Sequence, residues 1–366
     1  MPTESRTERL LNAYINGDDI SNFVPLSRNE QILKDMILGN EQTSSPQSRI
    51  ESLYQKLDEK IKEGSGGENN PLQHIIDNLG GDGKPSCYYL IYNYKGTNLD
   101  VLSQCDFSKV SNMGSMFYQC LNLTTIPLIN TSACTTMSFM FTGCHDLISV
   151  PLLNTSNVIN MHGMFQGCQR LTSLPLFDTS KVTDMGGMFY LCRELKTIPQ
   201  LDTSNVTDML NMFQMCDALM SVPELNTSNV TNMSGIFDSC PNLKTVAQLD
   251  LIKSTNNSSM FYNCRNLTYI KLLNIKTSLS IGSGTSWGHL IEKDCLIQII
   301  SELIKPSSGT KTLTMGTTNK AKIADTYVKL LEDDRTGKYP FEVCASTDEG
   351  AMTIESYCTA KNWQLA

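Results

Sequence analysis

One stretch of the sequence decides the fold: Leu195–Cys216 reads LKTIPQLDTSNVTDMLNMFQMC, and close copies of it recur every 24 residues. The most regular mark of the copies is a Phe that is followed by a Cys three residues later. A period of this length is typical of one supersecondary unit that is copied and stacked, which gives an extended surface rather than a single pocket. The pairs are Phe117 with Cys120, Phe141 with Cys144, Phe165 with Cys168, Phe189 with Cys192, Phe213 with Cys216, Phe237 with Cys240 and Phe261 with Cys264.

Each copy divides into two parts joined by a turn. The front part, Leu195–Leu201, is short, apolar and bounded by turn residues, which favours a β-strand. In the back part, Val206, Met209 and Phe213 follow at steps of three and four residues, the spacing of one helix face. Asp202–Ser204 between them predicts an Asx turn and a helix N-cap. We therefore predict an α/β solenoid of seven 24-residue strand-turn-helix units.

The cysteines do not indicate a disulfide framework, although the chain has 13 of them. Seven occupy one repeat position, and the side chains of such a column point the same way instead of toward each other. We predict a buried ladder of free thiols that act as small hydrophobes. Free thiols favour synthesis in a reducing cytoplasm.

The repeats occupy residues 87–281, and the segment before them has a different pattern. Within residues 1–63, Ser-Arg-x-Glu begins at Ser5, Ser27 and Ser48, with the Ser-to-Glu spacing of a capping box. This pattern predicts three short capped helices that dock the chain on a partner; a loosely ordered tail is the alternative. The candidate docking residues are Arg6, Arg28, Arg49, Leu11, Leu33 and Tyr54.

Two further segments complete the predicted organisation. Residues 64–86 are rich in Gly, which predicts a linker. Residues 282–366 lose the period and predict an α/β cap that closes the open end of the solenoid. Its predicted elements are a helix over about 290–304, a strand over 312–315, a helix over 319–331, a strand over 341–344 and a last helix that ends near Trp363.

Composition excludes several classes of function. The net charge is −8, which disfavours a nucleic-acid partner because such binding depends on Lys and Arg that neutralise phosphates. The N-terminus lacks the apolar core of a signal peptide, and runs such as Leu296–Ile300 are too short to span a bilayer. We therefore expect a soluble protein without membrane insertion.

No motif in the chain indicates catalysis or a cofactor. Met-x-x-Met pairs such as Met185 with Met188 resemble soft-metal sites, but their spacing also places them in the core, which we prefer. A column of Asp and Asn that includes Asp178 and Asn226 could hold calcium; free exchange of Asp and Asn favours turn hydrogen bonds instead. We expect no enzyme, cofactor or metal, and a hidden glycan-cleaving pair of carboxylates remains the alternative.

A variable column on the strand face is the candidate binding surface. Its side chains differ from copy to copy, and the next column is rich in hydroxyl groups, which suits contact with a glycan or a protein. An ordinary solvated strand face is the alternative. The candidate residues are Thr124, Ile148, Thr172, Lys196, Met220, Lys244 and Thr268.

The repeat phrase at residues 202–223, Asp-Thr-Ser-Asn-Val-Thr-Asp-Met-x-x-Met-Phe-x-x-Cys-x-x-Leu-x-x-x-Pro, resembles the BspA-like leucine-rich repeat family. The resemblance covers residues 106 to about 275 and extends to the tail around Lys311 and Trp363. It implies a leucine-rich-repeat-like stack and an adhesive or protein-binding role on the surface of bacteria or some protists.

The N-terminal Ser-Arg-x-Glu repeats are similar to segments of structural or fibre proteins of phages. Together the two resemblances imply a non-catalytic virion appendage. Its N-terminal helices would bind a virion structural protein, and its solenoid a host surface protein or glycan. A bacterial cell-surface adhesin is the alternative, and a glycan hydrolase on a fibre scaffold is a third. The sequence leaves open whether the chain forms a homo-oligomer.

Overall fold

The computed structural model of the protein describes residues 87, 90–94, 96–97, 99–282, 291–331 and 341–366. The predicted docking segment, 1–63, and the predicted linker, 64–86, lie outside the described residues. The docking residues on that segment therefore stay predictions: Arg6, Arg28, Arg49, Leu11, Leu33 and Tyr54.

Backbone hydrogen bonds join each described copy to the next, so that residues one period apart lie side by side. In the back part, alternate amides donate to the following copy, as Met137 N does to Asn160 O at 3.0 Å and Phe141 N to Met164 O at 2.9 Å. The chain is thus a solenoid, as its period predicts. Parallel bridges join Asn112 to Thr136, Thr136 to Asn160, Asn160 to Asp184, Asp184 to Asp208, Asp208 to Asn232 and Asn232 to Asn256.

The back part of each described copy is a series of tight turns, so the predicted helix of the strand-turn-helix unit is wrong. Met212 N donates to Met209 O at 3.2 Å, and Cys216 N donates to Phe213 O at 3.1 Å. Between these bonds Asn211 has φ 54° and Met215 has φ 58°, left-handed values that a right-handed helix excludes. Tight turns share the three-residue step of a helix face, which is why the sequence fits both.

Regular strands form only at the C-terminal end of the described stack, so the strand predicted for every copy is wrong for the earlier ones. Pro223 follows the first strand directly, whereas Ala247 and Lys271 stand at the same repeat position inside the next two. Proline has no amide hydrogen to donate to a strand ladder, and it occupies this position in the earlier copies. The strands, parallel and in this order, are β1 (Ser221–Val222), β2 (Thr245–Asp250) and β3 (Tyr269–Leu273).

The core consists of columns in which the same side chain recurs from copy to copy. Phe rings stack with their centroids 5.2 Å apart at Phe117 and Phe141 and 6.0 Å apart at Phe165 and Phe189. The methionines that recur in the back part, such as Met185 and Met188, are fully buried and fill the space beside these rings. The seven cysteines of the repeat column are buried and free, which confirms the predicted ladder of thiols.

The stack ends against helix α1 (Lys293–Ser301), which covers the open edge of β3. Cys295 Sγ donates to Ile270 O at 2.8 Å, and Gln298 Nε2 donates to Leu272 O at 3.0 Å. An uncovered strand edge would present these carbonyl groups to other chains. The helix therefore takes the place of a further copy.

A short 3₁₀ helix, Asp100–Gln104, lies near the N-terminal end of the described stack, and the elements after α1 form two small sheets and two helices. In the first sheet β4 and β9 pair in parallel with β5; in the second, β7 and β8 pair antiparallel with β6. The helix predicted over 319–331 is wrong in its second half, where β6 forms instead. The elements are β4 (Leu279–Ser280), β5 (Lys311–Thr314), α2 (Gly316–Ile323), β6 (Tyr327–Leu330), β7 (Phe341–Cys344), β8 (Met352–Thr353), α3 (Ile354–Ala360) and β9 (Trp363–Leu365). In the part of the chain that the structure describes, no helix is long and apolar enough to cross a membrane.

Candidate functional site

A groove of about 890 Å³ runs across consecutive copies on the side of the stack where the front part turns into the back part. It is lined by the same positions of successive copies, and most of the lining residues have polar side chains. The lining residues are Leu176–Ser180, Gln200–Ser204 and Glu224–Ser228, with Gln248 and Asp250 at the C-terminal end.

Buried threonines hold the floor of the groove. Thr179 Oγ1 donates to Asp202 O at 2.8 Å, and Thr203 Oγ1 donates to Asn226 O at 3.0 Å in the copy after that. Both threonines are 1% exposed, so these bonds are shielded from water. The floor is therefore fixed by a side-chain ladder in addition to the backbone.

The Asp and Asn side chains of the groove close Asx turns, as the sequence predicts. Asp178 Oδ1 accepts from the amide of Ser180 at 3.0 Å and from its hydroxyl at 2.7 Å. Asn226 Oδ1 accepts from the amide of Ser228 at 3.2 Å and from its hydroxyl at 2.7 Å. The uncharged Asn thus makes the same hydrogen bonds as the charged Asp. This favours a role in forming the turn over an ion site, which would depend on charge. Among the described residues no group of three or more His, Cys, Asp or Glu is arranged to hold a metal.

The groove carries negative charge. Asp178, Asp202, Glu224 and Asp250 belong to its lining, and none of the described lining residues is Lys or Arg. Hydrogen bonds from the hydroxyl and the amide of the following serine hold the pKa of Asp178 and of Asp202 below its usual range. Both carboxylates are therefore charged at neutral pH.

A row of exposed leucines continues the groove toward the N-terminal end of the stack. Leu128, Leu152 and Leu176 are 66%, 62% and 64% exposed and stand at one position of three consecutive copies. The next two copies have Gln200 and Glu224 at that position. We call these three residues the leucine stripe.

The predicted binding column lies outside this groove. Its members are exposed or half-buried in successive copies, and the structure aligns them: Ile148 N donates to Thr124 O at 3.0 Å, and Thr268 N donates to Lys244 O at 2.9 Å. None of Thr124, Ile148, Thr172, Lys196, Met220, Lys244 and Thr268 is among the residues that line the groove. Their role in binding stays a prediction.

The prediction from sequence missed both the leucine stripe and the groove. The signal was present, because one position holds Leu in three copies and Gln or Glu in the next three. A strand alternates its faces, so a Leu within an apolar run reads as a core residue. The structure does not follow this alternation: buried or partly buried residues flank each leucine at a step of three, as Ile126 and Ile129 flank Leu128, and the leucines face outward.

The comparisons with known proteins concern the repeats. A protein-family profile described as "Mycoplasma protein of unknown function, DUF285" matches residues 86–197 and 192–279. The crystal structure of a T. pallidum leucine-rich repeat protein matches 53% of this chain and 77% of its own chain, with 18% sequence identity and a TM-score of 0.30. No match was found among curated proteins.

Proposed function

The chain belongs to the family described as "Mycoplasma protein of unknown function, DUF285", and we propose that it is a non-catalytic binding protein whose solenoid groove receives a macromolecular partner. One observation carries the proposal: the groove is continuous over four consecutive copies, from Leu176 to Asp250. Such a groove offers a long ligand many weak contacts, and a stack of repeats provides this surface without a dedicated pocket.

Two carboxylates of the groove, Asp178 and Asp202, favour binding over glycan cleavage. A glycosidase needs one carboxylic acid with a raised pKa to protonate the leaving oxygen. Asp178 and Asp202 have lowered pKa values, and their oxygens are engaged by Ser180 and Ser204. We expect the purified protein to release no reducing ends from bacterial polysaccharides; release that Asp202→Asn abolishes would contradict the proposal.

We further propose that the protein acts at a surface. The resemblance of its repeats to BspA-like proteins favours the bacterial cell surface. The Ser-Arg-x-Glu repeats at Ser5, Ser27 and Ser48 favour a phage particle, where residues 1–63 would bind a virion protein. In either place the solenoid would contact a host or neighbouring surface.

Quantitative mass spectrometry of three fractions tests the location: density-purified particles from an induced culture, washed cell envelope, and cytosol. Enrichment in particles with constant copy number supports the virion, and enrichment in the envelope alone supports the adhesin. Recovery in the cytosol alone would contradict a surface role.

A further inference from the structure

The groove and the leucine stripe form one continuous strip, and we propose that its partner is a polypeptide segment with apolar side chains at one end and Lys or Arg at the other. This inference rests on the proposed binding function and adds the chemistry of the partner. The apolar end would lie on the N-terminal copies of the stack and the basic end on the C-terminal ones.

The leucine stripe provides the apolar half of the strip. Three side chains that are each more than three-fifths exposed stand next to one another in consecutive copies. The fold does not require leucine there, because Gln200 and Glu224 occupy the same position in the next two copies, where a proline also precedes them. Adjacent exposed apolar side chains without a structural need are typical of a surface that a partner covers.

The groove provides the acidic half. Glu224 occupies the repeat position that holds leucine in the earlier copies. Asp178, Asp202 and Asp250 each lie two residues after that position in their own copies. Lys181 and Lys253 do not line the groove: their amines donate to the side chains of Asn157 at 2.7 Å and Asn229 at 2.6 Å, in the preceding copies. The charge of the groove is thus complementary to a basic ligand.

The negative charge and the side chains of the groove favour a polypeptide over other long ligands. Nucleic acids, anionic lipids and acidic glycans would be repelled by the carboxylates. The aromatic residue of the lining, Phe177, is 3% exposed and stacks on Phe165, so it offers no open face to a sugar ring. Residues 1–63 of this chain carry more acidic than basic side chains, so they do not complement the groove.

The length of the strip sets the length of the segment. Core rings of neighbouring copies lie 5.2 to 6.0 Å apart. From Leu128 to Gln248 the strip therefore extends over roughly 25–30 Å, which about eight residues of extended chain would span.

The test measures fluorescence anisotropy of labelled synthetic peptides of about nine residues against the full-length protein at low and high salt. One peptide has a leucine block followed by a lysine block, and a second has glutamate in place of lysine. We expect the first to bind with an affinity that falls as salt rises, because the charge pairs are exposed, and the second not to bind.

The apolar and the acidic half of the strip can be tested separately by substitutions to residues that other copies carry at the same positions. Leu128→Gln, Leu152→Gln and Leu176→Gln combined should weaken binding about tenfold or more. Asp202→Asn with Glu224→Gln removes two of the four carboxylates of the groove, and it should weaken binding about tenfold at low salt and reduce the salt dependence by about half. The matched control is Ile159→Thr, which removes an apolar side chain that is 48% exposed and outside the lining; binding should not change.

The inference is overturned if both groove variants bind the leucine–lysine peptide as the wild type does while their thermal unfolding is unchanged. It is also overturned if the glutamate peptide binds equally well. Either result leaves the proposed surface role standing if the protein is still enriched in envelope or particles. Recovery in the cytosol alone would instead contradict the proposed function.

Discussion

Single residues hold neighbouring copies together through bonds that the same residue type makes in every copy. The thiol of Cys192 is fully buried and donates to Phe165 O at 3.1 Å; Cys168 does the same to Phe141 O at 3.2 Å. Burial raises the pKa of Cys192 well above its usual value, so the thiol stays protonated and unreactive. The cysteine column is therefore a structural ladder in which each member both packs and donates.

The exchange Cys192→Ser should lower the free energy of unfolding by ~1–3 kcal/mol. The hydroxyl can still donate to Phe165 O, but it fills less space than sulfur and is more costly to bury. Chemical denaturation measures the effect, with Cys344→Ser at a half-buried site as the control that should change little. Equal loss in the two variants would indicate that the column contributes nothing specific.

His162 provides a residue whose titration the fold controls. Its Nδ1 lies 3.1 Å from Asp184 Oδ1, and this hydrogen bond raises the pKa of the imidazole against the opposing effect of burial. The charged pair therefore contributes its full stabilisation below about pH 6.5, the pKa of histidine in the unfolded chain. This contribution is lost as pH rises through the higher pKa that His162 has in the folded protein.

We expect Asp184→Asn to return the pKa of His162 toward its ordinary value and to reduce the change of stability with pH above about 6.5. Asn is the residue at the same position in the preceding copy, Asn160, so the turn should survive. Titration of the imidazole by NMR measures the shift. An unchanged pKa would mean that Asp208, the more distant carboxylate, provides the attraction.

At the scale of the element, the path of each copy is set by two left-handed residues and, in the copies up to Pro223, by one proline. The left-handed positions let amides alternate between their own turn and the next copy, and the proline ends or prevents the strand. Gly187 occupies one left-handed position with φ 59°, and Asn211 occupies it one copy later with φ 54°.

Gly187→Ala should destabilise the protein by about 1 kcal/mol, because the added Cβ would be strained at this φ although it has space, with its nearest contact 3.9 Å away at Gln166. Gly187→Asn should cost less, since Asn tolerates left-handed backbone. Thermal unfolding of the two variants measures the difference. Equal stability would show that the position is not strained.

At the scale of the whole molecule, both ends of the described stack are covered. At the N-terminal end a partial copy donates to the first full one, with Ile91 N to Met116 O at 2.9 Å. At the other end Ser254 and Asn257 replace apolar core residues, and their side chains bond to each other beside Thr277. Helix α1 then covers β3, so a long unpaired edge does not remain there.

Leu296→Asp, which places a charge in the buried face of α1, should lower the free energy of unfolding by more than about 3 kcal/mol. It should also promote association of chains, because β3 becomes an open edge. Light scattering and denaturation measure the two effects, and Asp294→Asn on the exposed side of the same helix is the control. A monomeric, stable Leu296→Asp protein would show that α1 is not needed to end the stack.

The amino-acid sequence by itself determined the period, the columns that are buried and the Asx turns, because each of these depends on residue type at a fixed spacing. It also indicated a cap beyond the repeats. These features do not depend on the path that the backbone takes between the columns, and so they could be predicted without knowing that path.

Only the tertiary structure decided how the chain passes from one column to the next and which exposed positions meet. A three-residue step fits tight turns and a helix alike, and the left-handed positions that separate the two are held by residues as different as Phe139, Leu191 and Met215. No local preference marks such residues, because the bonds to the neighbouring copy impose their conformation. The leucine stripe faces outward for the same reason: the stack, and not the single copy, sets the direction of each side chain.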